Sequence, residues 1–160
     1  MSPSFLKPSP AWAYHSSVPG YLTDHPIDVA SLIAGVSGTG LGGTVVFLGT
    51  VRSSPEDGDV AGIEYSAYPE MVGAEFDRIM AEVGQRWPMA RVALRHRTGY
   101  VPVGEASIAV VVACPHRAEA YEASRYVVEA TKQRVPLWKK ERLASGEARW
   151  VGAAPEAGRV

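Results

Sequence analysis

Ile108-Ala109-Val110-Val111-Val112-Ala113-Cys114-Pro115-His116-Arg117 is the stretch that decides the fold. It opens with a short, purely apolar run in which valine dominates, the composition of a strand rather than of a free-standing helix. A strand with no polar alternation is covered on both faces, so this one is central. Pro115 closes it, and the residues from about Arg117 to Arg134 read as a helix that stops before Pro136.

Upstream, Thr44-Val45-Val46-Phe47-Leu48-Gly49-Thr50-Val51 is a second short apolar run bounded by turn signals, read as a buried strand. A glycine-rich run, Gly35, Gly38, Gly40, Gly42 and Gly43, precedes it and ends a helix carrying Val29, Leu32, Ile33 and Val36 at helical spacing. Pro26 fits a first helical turn, with Asp24 as its cap. Ser53 to Asp59 is a polar loop with Pro55 and an Asp57-Gly58 turn. Ile63, Tyr65 and Ala67 then alternate as a strand expected to pair with the first. Pro69-Glu70 opens a long amphipathic helix bearing Val72, Phe76, Ile79, Met80 and Val83, closed near Trp87-Pro88.

Arg91 to Arg97 alternates through Val92, Leu94 and His96 as a half-buried strand, and Val101 to Glu105 turns the chain into the central strand. Two short strands around Ser145-Gly146 complete the domain. This order predicts an α+β sandwich, with helices packed on a largely antiparallel sheet. Residues 21–152 read as a single domain. Residues 1–20, broken by Pro3, Pro8, Pro10 and Pro19, read as a flexible leader, and residues 153–160 as a tail.

A chain of 160 residues can bury a core without covalent staples. The formal net charge of −1 gives no global attraction to nucleic acid or to an anionic membrane, so any anion site must be a local cluster of cations. Cys114 stands alone, which rules out an internal disulfide framework and a cysteine-based zinc site. No apolar stretch is long enough to span a bilayer, and the leader lacks the apolar core of a secretory signal. The cytoplasm is the expected compartment.

Several motifs fail on order or spacing. The glycine run precedes a strand instead of following one and lacks the Gly-Lys-Ser/Thr ending of a phosphate loop. His15, His25, His96 and His116 are scattered without metal-ligand spacing, and no Gly-x-Ser-x-Gly elbow is present. No metal and no cofactor are expected. Cys114 ends an apolar strand and reads as a small buried hydrophobe.

A set of cations at the ends of elements remains. Arg52 emerges directly from the first strand. His116 and Arg117 follow the central strand at a helix start, where the dipole disfavours cations unless an anion is held there too. Lys132 lies in the last turn of that helix and Lys139 just past Pro136, so both ammonium groups can face one pocket. Their ordinary reading is that of exposed lysines near a helix C-terminus.

Lys132-Gln133-Arg134-Val135-Pro136-Leu137-Trp138-Lys139-Lys140-Glu141 resembles the signature of the molybdopterin synthase large subunit. Three further stretches resemble the same family in the same order: Gly43 to Arg52, Tyr65 to Met71, and Ala113 to Arg117. Arg149-Trp150-Val151 also fits. The resemblance implies an α/β hammerhead-type fold and a homodimer within a heterotetramer. Its partner would be a ubiquitin-like small subunit, a sulfur carrier whose Gly-Gly C-terminus bears a thiocarboxylate.

The implied reaction converts cyclic pyranopterin monophosphate to molybdopterin by building a dithiolene. By position, Lys132 and Lys139 match the family's active-site lysines. Arg52, His116 and Arg117 match pocket residues for the anionic substrate, and Phe47 and Arg134 fall among the substrate-binding positions. Sulfur arrives already activated on the carrier, so no thiol of this chain is required.

About 15 residues separate Arg117 from Lys132, roughly 20 Å along one helix. A composite site shared across a dimer interface is therefore expected. Two other readings compete: a non-catalytic docking subunit for a ubiquitin-like carrier, and a phosphate-ester-binding regulatory domain.

Overall fold

The computed structural model describes residues 20–56 and 58–152. The leader through residue 19, the tail from residue 153 and Asp57 of the Asp57-Gly58 turn lie outside the described residues. The elements in chain order are β1 (Leu22–Thr23), α1 (Val29–Val36), β2 (Gly43–Thr50), β3 (Val60–Ala67), α2 (Pro69–Arg86), β4 (Arg91–Arg97), β5 (Gly99–Pro102), β6 (Ala106–Cys114), α3 (Arg117–Arg134), β7 (Leu137–Leu143) and β8 (Ala148–Val151). They build the expected α+β architecture. The strands, however, divide into two four-stranded sheets, ordered β1-β4-β6-β2 and β5-β3-β7-β8. Every pairing is antiparallel except β1 with β4.

β6 is the core of the first sheet, with Ala109 through Ala113 fully buried. Val110, Val112 and Cys114 face α2 and α3, packing with Phe76, Ile79 and Val127. Ala109, Val111 and Ala113 face α1, against Leu32 and Val36. The run lacks alternation because helices cover both of its faces.

Four local expectations are corrected. The cap of α1 is Asp28, not Asp24: its carboxylate accepts from the Ser31 amide at 3.1 Å and the Ser31 hydroxyl at 2.6 Å. β2 is an edge strand buried on one face, with Val46 40% and Leu48 44% exposed. Nor does β3 pair with β2. β2 pairs with β6 alone and is disrupted at Gly49/Thr50, after which Val51 exchanges hydrogen bonds with Gly104 and Glu105. The chain has then left the first sheet, and β3 finds β5 and β7 instead. Finally, β4 is half-buried only at its start. Leu94 through Arg97 are buried on both faces, including the guanidinium groups of Arg95 and Arg97.

The glycine run earns two of its members at β2. A Cβ on Gly43 would lie 2.9 Å from the Arg117 backbone, and one on Gly42 would lie 2.9 Å from the Pro115 carbonyl. The turn between β6 and α3 is thus seated directly on the start of β2.

The two sheets meet at a small cluster of Val51, Tyr65 and Val101. Tyr65 of β3 packs edge-on against His96 of β4, ring centroids 5.1 Å apart at 71°. His96 is 4% exposed, and its pKa is pushed down to about 4, chiefly by burial and further by the charge of Lys139. Among the described residues, no helix is long and apolar enough to cross a membrane.

Gly43→Ala is expected to lower the unfolding free energy by about 1–3 kcal/mol, since the methyl group meets backbone rather than a flexible side chain; an unchanged urea midpoint would refute the close approach. His96 contributes a second expectation. Its folded pKa lies below the unfolded value near 6.5, so the unfolded chain binds the extra proton first and stability falls as pH drops from about 6.5 to about 4. The full effect is about 3 kcal/mol. Stability measured against pH should slope across that window, and His96→Gln should flatten the slope.

Candidate active site

The helix α3 fixes where the cations go. Only Pro115 and His116 separate it from β6, so it doubles back along the sheet on which it packs. Its first turn therefore lies at the end of β6, beside Gly43. Its last turn lies at the opposite end, where β2 finishes and Arg52 emerges. His116 is the N-cap and Arg117 the first helical residue, both exposed. The His116 side chain makes no capping hydrogen bond, so the helix start offers backbone N–H groups alongside two cationic or protonatable side chains.

Lys132 and Arg134 occupy the last turn of α3, and Lys132 is exposed. Arg134 is engaged elsewhere. Its guanidinium bonds Glu75 of α2 at 2.6 Å and Glu82 at 2.7 and 3.1 Å. Tyr126 also donates to Glu82. Hydrogen bonds from Arg134 and Tyr126 push the Glu82 carboxyl down to about 2, and those from Arg78 and Arg134 lower Glu75. These contributions are present above the ordinary carboxylate pKa and lost as pH falls below it, a window more acidic than that of His96. Arg134 thus ties the end of α3 to α2 and fixes the backbone that carries Lys132.

Val135 is extended and Pro136 prevents further helix, so the chain enters β7 at Leu137. Lys139 follows two residues later, paired in register with Tyr65 of β3 and Val151 of β8. Register partners share a sheet face. Lys139 therefore projects from the face that carries Tyr65, towards His96 and the sheet junction, and it is exposed. Trp138, its neighbour, points to the other face and packs edge-on against Tyr68, centroids 5.3 Å apart. Tyr68, Pro69, Glu70 and Met71 line a shallow, mainly apolar depression beside this contact.

Arg52 follows Val51, a member of the same junction cluster as Tyr65. One chain accordingly brings Arg52, Lys132 and Lys139 to one end of the molecule. It leaves His116 and Arg117 at the other, roughly 20 Å away along β2 or α3. Phe47 is half-buried against the α2/α3 core. Cys114 is 1% exposed, and burial raises its thiol pKa. Sequence reasoning did not single out His96 and Tyr65, which pack together beside the strand that carries Lys139. The available signal was a histidine at the third inward position of β4, where Val92 and Leu94 lead one to expect another hydrophobe.

The chain is similar to known proteins over most of its length. A family model described as MoaE protein matches residues 22–134. The chain is 42% identical over 134 residues to molybdopterin synthase catalytic subunit 1 of Mycobacterium tuberculosis, covering 84% of this chain and 90% of that protein. It is 38% identical over 131 residues to the molybdopterin synthase catalytic subunit of Bacillus subtilis, covering 82% and 83%. The crystal structure of molybdopterin synthase from Staphylococcus aureus superposes with a TM-score of 0.79 at 29% identity, over 84% of this chain and 97% of that one. A chain from the complex of subunits 1 and 2 of the Helicobacter pylori molybdopterin-converting factor shares the fold, with a TM-score of 0.68 at 19% identity over 81% and 88%. With the family match running from β1 to the end of α3, and relatives of this identity aligned over most of their own length, the chain belongs to the MoaE protein family.

Proposed function

We propose that this chain is the catalytic subunit of a molybdopterin synthase. It transfers sulfur from a thiocarboxylated, ubiquitin-like small subunit to cyclic pyranopterin monophosphate, in the cytoplasm. The observation that carries the reading is the gathering of Arg52, Lys132 and Lys139 at one end of the molecule by the reversal of α3 and the Pro136 turn. The substrate brings a phosphate and the carrier an anionic thiocarboxylate. Fixed cations offset the repulsion between the two and hold sulfur near the pterin side chain it attacks.

Lys132 is the closest participant, and Lys139 steadies the carrier tail or moves a proton as the ring opens and water leaves. The carrier's extended Gly-Gly end has a path along the depression at Tyr68–Met71, beside the Tyr68–Trp138 contact. Arg134 acts through α2 to position Lys132, and Phe47 backs the strand that leads to Arg52. His116 and Arg117 are too far away to serve the same chain's lysines. They complete the site of a second copy, so the working unit is a homodimer flanked by two carriers.

Incubated with thiocarboxylated carrier and cyclic pyranopterin monophosphate, the protein should form the dithiolene. Lys132→Ala and Lys139→Ala should each reduce turnover by about a hundredfold or more, the scale of removing a fixed charge from the reacting centre. Carrier binding without dithiolene formation would instead identify a docking subunit. Mixing Arg117→Ala with Lys132→Ala chains should restore about a quarter of wild-type turnover, because random pairing rebuilds one intact composite site in half of the dimers. No rescue would place all five residues in a site within one chain.

A further inference from the structure

His96 is a buried polar group for which the sulfur-transfer chemistry has no direct use. It occupies an inward position of β4, after Val92 and Leu94, where an apolar side chain carries no desolvation cost. Its Nδ1 lies 2.7 Å from the Arg97 carbonyl oxygen. A carbonyl can only accept, so Nδ1 carries the proton and Nε2 keeps a lone pair. That lone pair has no hydrogen-bond partner among the described residues. Nor is it sealed from solvent: the fully buried, unpartnered side-chain atoms among those residues are Arg97 Nε and Glu119 Oε2.

The surroundings point the lone pair at one group. Tyr65 touches the imidazole ring and is the cross-strand partner of Lys139 on the same sheet face. Its hydroxyl is committed to Ser107, which in turn donates to the Gly49 carbonyl at 3.2 Å. Arg95 and Arg97 alternate onto the opposite face of β4, where Arg97 pairs with Glu105 at 2.6 Å. Lys139 is the charged side chain whose field acts on His96.

We propose that His96 is the positioning residue of Lys139, its Nε2 lone pair holding the ammonium group through one bridging water. The proposal rests on the sulfur-transfer reading only in taking Lys139 as part of the reacting site. The residue type follows from the task. A carboxylate here would orient the lysine but cancel its charge, whereas a neutral imidazole orients it and leaves the positive charge for the incoming anions. Burial keeps the ring neutral at the pH where the lysine must be charged.

Two substitutions separate positioning from a merely structural role. The amide N–H of His96→Asn can still donate to the Arg97 carbonyl, but the Nε2 acceptor is lost. His96→Gln places an amide oxygen near the Nε2 position and gives up the Arg97 contact. Positioning predicts that His96→Asn lowers kcat by about tenfold or more, the worth of one hydrogen bond to a charged group, with His96→Gln the more active variant. The reverse ranking, or full turnover in His96→Asn, overturns it.

A measurement on the native full-length chain does not depend on either variant folding. The imidazole 15N spectrum should show the Nδ1-protonated form, with an Nε2 resonance that moves in Lys139→Ala; an unmoved Nε2 overturns the contact. Lys139→Ala also separates the two levels of argument. Normal turnover in that variant removes Lys139 from the reaction and the proposal with it. Turnover that depends on Lys139 but not on His96 removes the positioning role alone.

Discussion

The double-sided burial of β6 is the constraint from which the rest of the structure follows. Ala109 to Ala113 are withdrawn from water on both faces, and that requires α1 on one side, α2 and α3 on the other, and a strand along each edge. Burial on that scale is the dominant favourable term in folding and is indifferent to direction, so the connections decide which ends meet. The connection after β6 is short and is pressed against Gly42 and Gly43. It leaves α3 no course but back along the sheet, and this reversal delivers Lys132 to the end of the molecule where Arg52 leaves β2.

A layer of polar contacts then fixes the cations more finely than apolar packing can. Apolar contact tolerates small displacements, whereas hydrogen bonds specify direction. Arg134 is held by two carboxylates of α2, which sets the rotation of the last turn of α3. Tyr65, Ser107 and the Gly49 carbonyl form a chain across the junction of the two sheets, and His96 is pinned to the Arg97 carbonyl beside it. These contacts fix the end of α3 on one side and the junction of the two sheets on the other. Lys132 and Lys139 themselves stay exposed.

Much of the domain is legible without coordinates. The unbroken apolar run of β6, the amphipathic spacing of α2, and the stop of α3 before Pro136 are local signals, and each element appears where it is read. The signature from Lys132 to Glu141 and its companions identify the family on sequence alone. Errors arise where the deciding force is non-local. β3 alternates as a strand should, but alternation does not name a partner, and adjacency in sequence suggested β2. Val46 and Leu48 look buried because hydrophobicity does not reveal whether a strand lies at an edge. Arg134 looks like one more cation of the pocket until its carboxylate partners, more than fifty residues earlier in the chain, come into view.

The sequence by itself determined the composition of the site. It contains the lysines and arginines on either side of a helix and a proline, and no thiol suited to carrying sulfur. Tertiary structure alone decided their grouping, because side chains far apart in sequence converge only after the entropy of closing long loops has been offset by burial. It turned the ends of β2 and α3 to the same side, sent the start of α3 to the far end, and packed His96 against Tyr65, the cross-strand partner of Lys139. Strand periodicity can say which way a residue points. What waits on the other side of the sheet depends on the whole chain.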